Sequence, residues 1–159
     1  MNKIDKFGYS GYVNISTTQN KAKIKNAGTE TLFELFARLL AGYTVNSAEL
    51  PRSIMLYAKS IERTTPALNQ SIPVTSSFRR IKNQPCAVFT AAISDTNLQN
   101  LLPADEYNYY LELRDGTINN VALASIPVER VILEQVQSGR QALIEWVMQV
   151  SNTTVVEEV

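Results

Sequence analysis

The sequence contains no histidine. That removes Ser-His-Asp and Cys-His triads, the usual catalytic zinc sites and any histidine-based pH switch. There is one cysteine, Cys86, which excludes an intrachain disulfide and a CxxC redox pair. Without a histidine to act as its base, Cys86 reads as a small buried apolar residue rather than a nucleophile. Charged residues make up 19%, below the average of about 25%. Fifteen cations balance fifteen anions, so binding to a polyanion by bulk charge is not expected. No apolar run approaches the ~20 residues of a membrane-spanning helix. The opening MNKIDKFGYSGY has Lys3 and Lys6 without an apolar core behind them and does not read as a secretory signal.

The chain has 159 residues, 45% of them apolar, a size and composition that suit one domain with its own core. Residues 1–10 read as an N-terminal arm. Residues 12–17 and 21–25 read as a β-hairpin around Thr18-Gln19-Asn20, with Ala22 and Ile24 on one face and Lys21, Lys23 and Lys25 on the other. Apolar residues at 32, 33, 35, 36, 39 and 40 form a helical stripe over residues 29–41. Gly28 and Thr29 lie at its start, and Gly42 falls where a left-handed residue would end it.

Strand patterns follow. Ile54, Leu56 and Ala58 alternate with Met55 and Tyr57. Residues 60–73 read as a loop, 76–81 as a strand, Asn83-Gln84-Pro85 as a turn and 87–93 as a strand; 94–105 read as a loop. In residues 107–113, Tyr107, Tyr109, Leu111 and Leu113 alternate with Asn108, Tyr110 and Glu112, so Tyr110 points away from the core. Asp115-Gly116 is a hairpin signal and residues 121–126 the return strand, with Pro127 marking an edge or a break. Residues 128–137 fit a helix or a strand; the β-branched Arg130-Val131-Ile132-Leu133 and the Ser138-Gly139 turn favour the strand. Ala142, Ile144, Trp146, Met148 and Val150 alternate in a long last strand with Trp146 at the centre of its buried face. The fold class expected is mainly β: an antiparallel sandwich, jelly-roll or immunoglobulin-like, with one amphipathic helix. The sandwich domain spans 11–152, and 153–159 form a C-terminal tail.

Charge is uneven along the chain. Residues 1–82 hold 12 Lys and Arg against 5 Asp and Glu; residues 83–159 hold 3 against 10. Either the fold mixes the two signs over one surface, or a basic face meets an acidic face on another copy. Arg79 and Arg80, with Lys82 and the hairpin lysines, are the basic cluster. Asp105-Glu106, Glu112 with Asp115, and Glu157-Glu158 are close carboxylates, read as solvated loop or turn residues; a carboxylate-only enzyme would have to use Asp105, Glu106, Glu112 or Asp115. Asp95-Thr96-Asn97 is too short for a calcium loop, and Gly8-Tyr9-Ser10-Gly11 lacks the Lys-Ser/Thr of a phosphate loop. No cofactor or metal is implied.

Three stretches together carry a resemblance: the run Asn26–Phe36 leading to Leu40-Ala41-Gly42; Ile72-Pro73-Val74 with Ser77–Arg80 and Ala87–Ala91; and the closing Ser138–Asn152 around Ile144, Trp146 and Val150. The chain resembles small virion structural proteins of tailed bacteriophages, including auxiliary and minor capsid proteins. The resemblance implies a β-sandwich that coats or joins a viral particle made in the host cytoplasm, with no catalytic residues. Partners would be the major capsid protein, portal or neck proteins, or copies of the chain itself; neither membrane nor nucleic acid is expected. Contacts are expected at Phe7, Tyr9 and Tyr12, at Arg79, Arg80 and Tyr110, and at Glu157 and Glu158. The alternatives are a neck, portal-ring or tail component, and a sandwich that binds host-surface carbohydrate.

Overall fold

A computed structural model describes residues 2–40, 50–60, 68–98, 107–114 and 122–157; for residues 2–9, 40, 68–69 and 150–157 it is the backbone that is described. The strands are β1 (Asn2–Ser16), β2 (Lys21–Lys25), β3 (Ser53–Ser60), β4 (Leu68–Pro73), β5 (Thr75–Ile81), β6 (Gln84–Ile93), β7 (Tyr107–Arg114), β8 (Ala122–Val128) and β9 (Ala142–Glu157). The helices are α1 (Glu30–Leu40) and α2 (Arg130–Gln137). Two antiparallel sheets pack together as a β-sandwich, ordered β2-β1-β9-β6-β5 and β4-β3-β7-β8. Successive hairpins alternate between the sheets, and β9 joins β1 to β6. The smaller sheet joins its two hairpins through β3 and β7. In the larger sheet β9 is inserted between the two hairpins.

Alternation builds the core. From β9, Ala142, Ile144, Trp146 and Met148 point inward. They meet Phe89, Ala91 and Ile93 of β6 and Ile54, Leu56, Leu111 and Leu113 of the other sheet in one cluster. Trp146 Nε1 donates to the Ala27 carbonyl at 3.0 Å, which ties the link between β2 and α1 to the core. Gly11 lies opposite Met148 in the β1–β9 pairing, and a Cβ there would lie 2.8 Å from the Met148 sulfur.

The helical stripe is confirmed as α1, whose Leu32, Leu35 and Phe36 are buried. The Thr29 hydroxyl and N–H before it both donate to the Leu123 carbonyl of β8. Gly42 and Asp115-Gly116 lie outside the described residues.

Four local expectations are corrected. Residues 130–137 form a helix, not a strand: burial of Ile132, Leu133 and Val136 on one side outweighs β-branched propensity. Gly139, at φ 101°, supplies the left-handed exit. Among the described residues the sandwich therefore carries two α-helices. Residues 68–73, expected in a loop, are strand β4, paired with β3 from Ala58↔Leu68 to Ser53↔Pro73. The β5–β6 turn is Lys82-Asn83, at φ 51° and 65°, a two-residue connection of the kind that matches strand twist; Gln84 and Pro85 already belong to β6. Finally, residues 2–10 and 153–157 are strand rather than arm and tail, paired with each other from Asn2↔Glu157 onward.

Candidate interaction surface

The β1–β9 pairing runs from Asn2↔Glu157 to Ser16↔Leu143. Their neighbours stop short. β6 pairs with β9 only as far as Cys86↔Gln149, and β2 pairs with β1 only from Tyr12↔Lys25. Among the described residues, Asn2–Tyr9 and Val150–Glu157 therefore form a two-stranded ribbon beyond the body of the sheet. Eight residue pairs at about 3.4 Å per residue make it roughly 27 Å long. Phe7 pairs with Asn152 and Tyr9 with Val150 in this ribbon. Glu157 ends it opposite Asn2; Glu158 lies outside the described residues.

The other expected contact residues belong to the body. Tyr12 is half-buried on the outer face of the five-stranded sheet, with Lys23 Nζ 4.1 Å from its ring centroid, a cation–π contact. Its row continues through Val147 and Val88 to Ser77. Arg79 starts one row away, opposite Cys86, and its Nη2 lies 2.9 Å from Glu145 Oε2. Glu145 lies opposite Thr90, on the other side of the valine row. The arginine thus spans Val88 and Val147, which are buried although they face outward. With Cys86 they form a second apolar cluster, with Tyr12 and Ile81 packed against it. Burial pushes the Cys86 thiol up, against a backbone hydrogen bond from Ile81 and the charge of Arg79. Burial also raises the Tyr12 phenol, helped by Cys86 and Glu145 and opposed by Arg79. Cys86 is a buried core thiol.

Tyr110 is on the other sheet. Its ring stacks on Tyr57 at a centroid separation of 5.2 Å and an interplanar angle of 22°; the two residues are directly paired across β3 and β7. The Tyr57 hydroxyl is 3.3 Å from Ser125 Oγ. Below them Glu112 Oε1 meets Arg114 Nη2 at 2.6 Å. Asp105, Glu106 and Asp115 lie outside the described residues. Among the described residues no three His, Cys, Asp or Glu side chains cluster as metal ligands, and no helix is long and apolar enough to cross a membrane.

The sheet edges differ from one another. β2 carries a lysine at every second position. β4 ends in Pro73, and β8 contains Pro127. Charged side chains, lysine above all, and prolines keep edge strands from pairing with other chains, and β5 carries Arg79 and Arg80. β5 has no proline, keeps unbroken register with β6, and is exposed at every residue from Thr75 to Arg80. Phe78 at its centre is 61% exposed, the most exposed large apolar side chain among the described residues. The local alternation of the sequence carried no sign of either the β1–β9 ribbon or this open edge, since both depend on which strands become neighbours.

A cleft of about 330 Å³ opens on the opposite side of the sandwich, between β2, β8 and the start of α2. Ile15, Ala22, Ile24 and Ile132 give it apolar walls, with Lys23 and Glu129 alongside. No family model matches this chain, and no curated protein or solved structure matches it either.

Proposed function

We propose that the chain is a non-enzymatic structural protein of a virion, an auxiliary capsid protein that decorates the shell of a tailed bacteriophage. The observation that carries this reading is the ribbon of Asn2–Tyr9 and Val150–Glu157 standing beyond the sandwich. An isolated pair of strands is only marginally stable in water, so such an extension suits an element completed by a neighbour. The resemblance to small phage virion proteins supplies the setting. Each contact can be weak, because a lattice of identical sites turns modest affinity into avidity.

Quantitative mass spectrometry of purified particles from the phage that encodes the chain tests the reading. Copies in stoichiometry with the major capsid protein support a shell role. Copies in stoichiometry with the portal would make it a neck or tail ring protein instead. Absence from particles overturns both. Removal of residues 1–10 should abolish incorporation while leaving the sandwich folded, since β2 pairs with β1 only from Tyr12.

The Tyr57–Tyr110 stack favours a second reading, carbohydrate binding on the outer face of the smaller sheet. A glycan array separates the two. Binding lost in both Tyr57→Ala and Tyr110→Ala would support the carbohydrate reading, and an array without signal would remove it.

A further inference from the structure

The open β5 edge and the β1–β9 ribbon have complementary needs. β5 offers seven residues, six of them exposed, with one side unpaired among the described residues. The β9 side of the ribbon, Val150–Glu157, has eight residues whose outer side is likewise unpaired there. We propose that the β9 side of the ribbon of one copy adds as a strand to the β5 edge of a second copy, joining the chains head to tail. This deepens the assembly reading by naming the partner. It rests on the ribbon being an assembly element, not on the virion as the setting.

Charge selects which strands meet. Arg79 is committed to Glu145, but Arg80 and Lys82 are exposed and form no ion pair among the described residues. Val150–Glu157 contains no cation and ends in Glu157. The β1 side of the ribbon carries Lys3 and Lys6 and would be repelled by the β5 edge. The lysine-bearing β2 edge and the proline-bearing β4 and β8 edges are guarded. Phe78 supplies an exposed apolar anchor at the centre of the edge that remains. Strand addition then has both of its usual parts, a ladder of main-chain hydrogen bonds and a side chain that fixes position. The contact uses two different surfaces of the same chain, so repetition closes a ring or extends a filament rather than stopping at a two-fold dimer.

The test uses the full chain. Light scattering over a range of concentrations, at low and high salt, should show a mass that rises with concentration for the unmodified protein. Arg80→Glu should raise the concentration needed by roughly tenfold or more, equivalent to about 1.4 kcal/mol. Phe78→Asp should do the same. Circular dichroism checks that both variants stay folded, since both side chains are exposed. Arg80→Glu combined with Glu157→Lys in one chain should recover assembly, which a merely structural role for either residue would not produce.

Contact geometry is read by cross-linking. Ser77→Cys and Thr154→Cys proteins, each in a Cys86→Ala background, are mixed and treated with a bismaleimide. A covalent dimer that requires both variants supports the proposal. A protein that stays monomeric at every concentration and salt overturns it, as does assembly without the mixed cross-link. Particle stoichiometry is a separate readout: monomeric protein abundant in virions would overturn self-docking alone, and self-assembling protein absent from virions would overturn the virion reading alone.

Discussion

Arg79 reaches across the outer face of the larger sheet to Glu145, Nη2 to Oε2 at 2.9 Å, and so roofs Val88 and Val147. Both charged side chains are nearly half exposed, so the ion pair itself is worth about 0.2–1 kcal/mol and is screened by salt. The arginine's aliphatic stem does more by covering apolar surface. Arg79→Ala should therefore cost about 1–2 kcal/mol, with Glu145→Ala below about 1 kcal/mol. Urea unfolding of both single variants and the double variant, at low and high salt, separates cover from charge. Equal losses in the two single variants would show that the charge pair is the whole contribution.

Trp146 and Ala27 supply a second prediction. Trp146→Phe removes the donor to the Ala27 carbonyl and leaves space in the core. A loss of about 2–4 kcal/mol is expected from the unpaired carbonyl and the cavity together. A loss below 1 kcal/mol in urea would show that water takes over the carbonyl.

Gly11 is the site of a third. Gly11→Ala drives a methyl group toward the Met148 sulfur in a closed core, and overpacking of this kind costs about 1–3 kcal/mol. Adding Met148→Ala should recover part of the loss if the clash is its cause, and thermal unfolding of the pair measures that coupling.

The Lys82-Asn83 turn is strained at its first position, because a lysine is held at φ 51°. Replacing the pair by Asn-Gly should stabilise the protein by about 1 kcal/mol, since Asn and Gly adopt that region at lower cost. The midpoint of thermal unfolding should rise accordingly; a fall would mean that Lys82 makes a contact beyond its turn.

Alkaline pH tests the buried thiol. Cys86 in the folded chain titrates above its ordinary range. Below the unfolded thiol pKa of about 8.5 both states keep the proton and the contribution is constant. Above it the unfolded chain releases its proton first, so stability falls as pH rises toward the folded pKa. The Tyr12 phenol is shifted the same way and adds a later loss. Cys86→Ala should remove the earlier part of the decline in urea stability and leave the later part.

Strong local periodicity was legible in the sequence. The stripe through Leu32, Phe36 and Leu39 marks α1, and alternation around Trp146 marks β9. Where local signals conflict, tertiary packing decides. Val131-Ile132-Leu133 favours extended backbone, yet α2 forms because three of its side chains are buried together and Gln135 accepts from the Thr17 hydroxyl in the β1–β2 turn. The candidate contacts divide in the same way. Tyr110 was placed on the outward face of its strand by alternation, but its stacking on Tyr57 depends on β3 and β7 becoming neighbours. The ribbon joins segments at opposite ends of the numbering, and no local pattern announces such a pairing.

The position of β9 sets an order of events in synthesis. It is the last of the described strands in chain order, yet it holds the middle of the larger sheet. The β1–β2 and β5–β6 hairpins can form early through local contacts, but they remain two separate pieces until β9 arrives between them. A polypeptide truncated before Ala142 has no central strand for the sheet and no partner for residues 2–9 of β1. A chain that stops short of β9 therefore cannot join the β1–β2 and β5–β6 hairpins into one sheet.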